Sequence, residues 1–188
     1  MPGSEGILAL LDSRSFGSVW FWVILTLAWT MAGRRSLGVP SDVVVAALRM
    51  QPTGQDAPQA LALLDWLSLT LPRWHLGTRE GAVLLGAGAF LFSALAVLGF
   101  GYGLEMAQAL VLLILPFAGL FVLEVRLARR LTDLVARAET GLAVNAAGAE
   151  AARLMRGQRR IVLAVSILSV AVTAFYGALW SIAHPFGF

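Results

Sequence analysis

Four apolar stretches alternate along the chain with two long polar gaps and one very short one. The stretches cover residues 16–32 (FGSVWFWVILTLAWTMA), 82–100, 104–123 and 161–183. A helix needs about 17–25 mostly apolar residues to cross a bilayer, so each stretch predicts one transmembrane helix. The second and fourth carry no charge. The third opens on Glu105 and contains Pro116, and the first is the shortest. The expected architecture is therefore all-α: one integral membrane domain of four spans, with longer connections over 33–81 and 124–160.

Both long connections have helical patterns of their own. In 33–81, Ser41-Asp42 predicts the cap of a short helix reaching Met50, and residues 51–55 (QPTGQ) form a breaker. Asp56 predicts the cap of a second helix through Leu71, stopped by Pro72. Ala60, Leu63, Leu64, Leu67 and Leu71 share one face of it, with Asp65 and Ser68 turned away. The pattern predicts an amphipathic helix, interfacial or packed on the bundle, with a re-entrant segment as the alternative. In 124–160, Leu123, Leu127, Leu131, Leu134 and Ala138 continue an apolar stripe out of the third span. Thr140-Gly141 and residues 145–148 offer a turn, and 150–160 leads into the fourth span. This predicts a helical hairpin extending about two to three turns past the bilayer, braced by an Asp133–Arg137 pair.

Charge fixes a direction. All 14 basic residues are arginine, and all but Arg14 fall in the two long gaps. Arg34, Arg35, Arg49, Arg73 and Arg79 lie in the first, and Arg126, Arg129, Arg130, Arg137, Arg153, Arg156, Arg159 and Arg160 in the second. The turn Gly101-Tyr102-Gly103 between spans two and three has none. Basic connections stay cytoplasmic, so both gaps are expected inside and both termini in the periplasm. Trp20, Trp22, Tyr176 and Trp180 then fall near the periplasmic interface, and Trp29 and Trp74 near the cytoplasmic one.

Composition agrees. Apolar residues make up 59% and charged residues 13% of the chain, and mean hydropathy is +0.79. A soluble protein of 188 residues could not hide that much apolar surface. No cysteine is present, which excludes disulfides and thiolate chemistry. The high isoelectric point, about 10.5, comes from arginines at the membrane boundary. Anionic lipid head groups are the expected partner, and nucleic acid is not.

Candidate chemistry is sparse. Glu105, with Gln108 one turn on, is a carboxylate able to bind a proton or cation inside a bundle. The plainer reading is an acid that meets the positive end of a helix dipole and still reaches water. Glu124, near Arg126, reads as an interfacial ion pair. Residues 99–103 (GFGYG) carry glycines without the strand and helix of a phosphate loop, and read as a tight turn. Ala82, Gly86, Ala89, Ser93 and Ala96, and on the last span Thr173 and Gly177, form small-residue faces for close helix packing. Such faces pack internally more often than against another subunit. Pro116 predicts a kink. His75 and His184 have no partner at ligand spacing, so no haem, metal or other cofactor is expected. Arg126, Arg129, Arg130, Arg153, Arg156, Arg159 and Arg160 read first as topogenic, lipid-facing charge, and second as a docking surface for a protein.

Residues 11–16 (LDSRSF), 19–22 (VWFW), 37–42 (LGVPSD) and 98–109 (LGFGYGLEMAQA) carry a resemblance. They are similar to a small family of four-helix membrane proteins of Rhodobacter-like alphaproteobacteria that go under the label "component of SufBCD complex". The resemblance runs to the third span and is weaker beyond it. It implies no catalytic residue. The expected function is a non-catalytic accessory, scaffold or assembly subunit of a larger complex in the bacterial inner membrane. The alternative is a small oligomeric transporter or channel with Glu105, Gln108 and Pro116 along the route.

Overall fold

The computed structural model describes residues 15–49 and 58–183. The predicted breaker at 51–55, the cap at Asp56, Met50 and His184 lie outside the described residues. Apart from one two-residue ladder, the regular elements are helical. In order they are α1 (Val19–Arg34), β1 (Arg35–Ser36), β2 (Val39–Pro40), α2 (Ser41–Arg49), α3 (Pro58–Thr70), a 3-10 turn (Leu71–Trp74), α4 (Thr78–Ala96), a π turn (Val97–Gly101), α5 (Glu105–Glu139) and α6 (Val144–Ala183). Among the described residues, three helices are long and apolar enough to cross a membrane: α4 with its π turn, α5 and α6. At 16 residues α1 is about 24 Å long, short of a hydrocarbon core of about 30 Å.

The chain divides into two compact units. One comprises Thr30–Gly77 and Leu120–Ala164. It starts with a hairpin in which Arg35 pairs with Pro40 and Ser36 with Val39, antiparallel. The two loop residues, Leu37 and Gly38, have φ of 55° and 83°. Two positive φ values in a two-residue loop suit the right-handed strand twist. Leucine disfavours that region, but its side chain is 1% exposed, so apolar burial offsets the backbone cost.

The core of this unit gathers Leu37, Val39, Val44 and Ala47 with Leu63, Leu67 and Leu71 of α3 and its 3-10 turn. Against them pack Leu127, Leu131 and Leu134 of α5, and Ala147, Ala151 and Met155 of α6. The predicted α3 stripe is the buried one: Ala60, Leu63, Leu67 and Leu71 are buried, while Asp65 and Ser68 are exposed. Pro58 starts the helix, where a missing N–H costs nothing, and the α-helix ends at Thr70 ahead of Pro72. α3 packs against α5 and α6 within this unit. A Cβ placed on Gly148 would fall 2.6 Å from Ala60 Cβ, so α3 and α6 touch backbone to backbone there.

The predicted turn is corrected in part. Thr140-Gly141 makes the reversal as expected, with Gly141 at φ 119°, but residues 145–148 lie in the first turns of α6. Asn, Ala and Gly suggested a turn, but burial against α3 wins. α5 continues about four turns past Leu123, further than expected. The brace differs too: Arg137 Nη2 reaches Glu150 Oε1 at 3.4 Å, across the hairpin, in place of Asp133 along the helix.

The other unit comprises Met1–Trp29, Thr78–Gly119 and Val165–Phe188. Its apolar cluster joins Leu95 with Ala107 and Val111, flanked by Phe92, Leu98 and Ile114. Trp29, expected at an interface, is 7% exposed and stacks on Phe117, ring centroids 4.6 Å apart. α5 runs unbroken through Pro116.

Candidate functional site

Glu105 and Gln108 stand on the first turn of α5, and both are buried. The sequence left Glu105 in reach of water, but the fold withdraws it. Its Oε1 accepts the backbone N–H of Phe16 at 2.6 Å, and its Oε2 accepts the indole N–H of Trp180 at 3.2 Å. A carboxylate has two acceptor oxygens and no donor when ionised, so two N–H groups use both. Its place at the start of α5 adds the favourable end of the helix dipole.

Gln108 is engaged at both ends of its amide. Nε2 donates to Gly99 O at 2.7 Å, and Oε1 accepts from the Tyr176 hydroxyl at 3.0 Å. The first bond ties α5 to the π turn. There the Tyr102 N–H donates to Val97 O, and the Leu104 N–H to Leu98 O. Gly99 is required: a Cβ would sit 2.8 Å from the Gln108 backbone nitrogen. The residues 99–103 are thus the turn expected, with Gly103 at φ 75°.

Aromatic rings enclose this polar cluster. Phe16 meets Phe21 and Tyr176 edge to face, with centroids 5.6 and 5.7 Å apart, and Phe100 meets Tyr176 at 6.2 Å. Trp22 Nε1 donates to Phe16 O at 3.0 Å. Gly177 admits Phe16: a Cβ there would lie 3.1 Å from the Phe16 ring. Phe16, Gly99, Tyr176 and Trp180 were not singled out from sequence as partners of Glu105 and Gln108. One signal pointed to two of them. Tyr176 and Trp180 are four apart, so their polar tips share a helix face at the depth predicted for Glu105.

The small-residue faces divide. Thr173 and Gly177 are buried within the unit, as internal packing requires. Ala82, Gly86, Ala89 and Ser93 are exposed, and nothing lies within 4 Å of a Cβ built on Gly86. Of the 19 residues of α4, Leu95 alone is buried among the described residues. The expectation that this face packs internally is therefore replaced by an open one.

The arginines Arg126, Arg129, Arg130, Arg153, Arg156, Arg159 and Arg160 are all exposed. Arg137 pairs with Glu150, and among the described residues Glu124 does not pair with Arg126. His75 is exposed. Among the described residues no group of three metal-ligating side chains comes together. No protein family, curated protein or solved structure matches the chain.

Proposed function

We propose that this chain is a non-catalytic, multi-pass protein of the bacterial inner membrane, acting as an accessory, scaffold or assembly subunit of a larger membrane complex. The supporting observation is the uncovered line Ala82, Gly86, Ala89 and Ser93 on α4. Small residues let a neighbouring helix approach closely, and in lipid such packing drives association where hydrophobic burial cannot. On this reading α1 is the fourth span, tilted little or thinning the bilayer around it. The arginine-bearing connections are cytoplasmic, and both termini are periplasmic.

The polar cluster speaks against the transport alternative. Moving a solute needs polar groups turned toward a route. Both Glu105 oxygens and both ends of the Gln108 amide are engaged by the chain's own groups. They fasten the segment before α1 to α5 and α6.

Purification in a gentle detergent, with identification of co-purifying proteins, tests the proposal. A stoichiometric larger assembly is the expected result. An isolated symmetric oligomer with a water-filled centre at Glu105 would replace it with the transport reading.

A further inference from the structure

The unit built from Thr30–Gly77 and Leu120–Ala164 contains a cavity of about 180 Å³, far more than one water needs. Its walls are apolar: Ala32, Val39, Val44, Leu48, Met155 and Val162. Its charged lining is Glu124, Arg156 and Arg159. Neither arginine has an ion pair among the described residues, and neither does Glu124, although they line the same cavity. Glu124 is partly buried, and the two guanidinium-bearing residues are exposed. Arg156 and Arg159 are three apart on α6, which puts them on one face.

We propose that this cavity is a phospholipid site. It takes an acyl-chain segment against its apolar walls. The phosphodiester lies between Arg156 and Arg159, and Glu124 accepts a hydrogen bond from the head group. Three features select that ligand over a free anion or a protein segment. The apolar interior gives a hydrocarbon tail a dry seat, which inorganic phosphate does not use. Two guanidinium groups suit a phosphodiester, forming charge-assisted hydrogen bonds with it. A carboxylate beside them disfavours a bare phosphate, but favours a head group that carries its own donor, such as the glycerol of phosphatidylglycerol. The inference rests on the membrane residency proposed above and is independent of the partner complex.

The test is native mass spectrometry of the delipidated full chain, titrated with phosphatidylglycerol, phosphatidylcholine of the same chains, or inorganic phosphate. One phosphatidylglycerol per chain is expected to bind tightest. Phosphatidylcholine, which lacks both the head-group donor and the net negative charge, is expected to bind about tenfold more weakly. The double variant Arg156→Gln/Arg159→Gln loses the adduct by at least about tenfold, through removal of both charge-assisted bonds. Val45→Trp, at an exposed position on the cavity lining, blocks the tail and loses it as well. Arg153→Gln, outside the lining, binds like the parent.

Equal binding by the parent and the double variant would overturn the assignment, as would an undiminished adduct with Val45→Trp. Displacement of the lipid by inorganic phosphate at matching concentration would make this an anion site instead. Loss of binding in Arg153→Gln to the same extent would reduce it to general charge attraction. Thermal melts confirm that each variant is folded. Membrane fractionation of the parent chain separates the outcomes: a chain found outside the membrane sinks the residency reading, whereas a membrane-bound chain without the adduct sinks only the cavity assignment.

Discussion

The backbone N–H of Phe16 donates to the carboxylate of Glu105, 89 positions away, at 2.6 Å. This bond ties the segment before α1 to the start of α5, and the Trp180 indole completes the pair. Glu105→Ala is expected to destabilise the protein by about 2–4 kcal/mol, because a buried backbone donor and a half-buried indole lose their acceptor. Glu105→Gln keeps one carbonyl oxygen and should cost about half as much. Denaturant titration in detergent, followed by tryptophan fluorescence, measures both. Equal stability of all three proteins would mean the contact does not hold the segment.

Two glycines mark close approaches. Gly99→Ala drives a Cβ toward the Gln108 backbone, and Gly148→Ala drives one into Ala60. Each is expected to cost about 1–3 kcal/mol as overpacking. Gly157 in α6 has nothing within 4 Å, so Gly157→Ala should be neutral or stabilising by up to about 1 kcal/mol. Thermal unfolding of the three variants side by side checks the order.

At the hairpin before α2, Leu37 combines a left-handed backbone with a buried side chain. Leu37→Ala keeps the unfavourable φ and removes the burial. A loss of about 2–4 kcal/mol is expected. Hydrogen exchange should show the loss as faster amides across α2 and α3, which share its core.

Gly86→Leu and Ala89→Leu place bulk on the open face of α4. Since both positions are exposed, melting should shift by less than about 1 kcal/mol. Co-purification of any partner seated there should fall several-fold. Retention of the partner at full stoichiometry would move its docking surface elsewhere.

The Arg137–Glu150 pair is about half exposed on both sides, so it is expected to contribute little. Glu150→Gln should change stability by less than about 1 kcal/mol. Melts at low and high salt should nearly coincide.

Periodicity made the helices legible. The three longest apolar elements, the α3 stripe and the turn at 99–103 follow from spacing and composition alone. What the sequence concealed were contacts decided by tertiary packing. Gly148 looks like turn chemistry until Ala60 arrives against it, and nothing local announces that meeting. Arg137 had an acid at ideal helical spacing, yet the hairpin offers Glu150 from the other strand of the reversal. Glu105 and Gln108 were legible as unusual residues. Their partners were not, because Phe16 contributes a backbone N–H, which any residue but proline carries and which leaves no mark in a side-chain pattern. The open face of α4 was hidden for the opposite reason: a row of small residues reads the same whether a neighbour covers it or not.

α4 is fastened near its last turns, through Phe92 and Leu95, with Leu98 of the π turn beside them, while residues 82–91 are exposed. A rod gripped at one end can gain or lose a companion along its free length without unpicking the grip. Exchange of such a companion would be governed by the companion's own affinity, with no toll from dismantling the host.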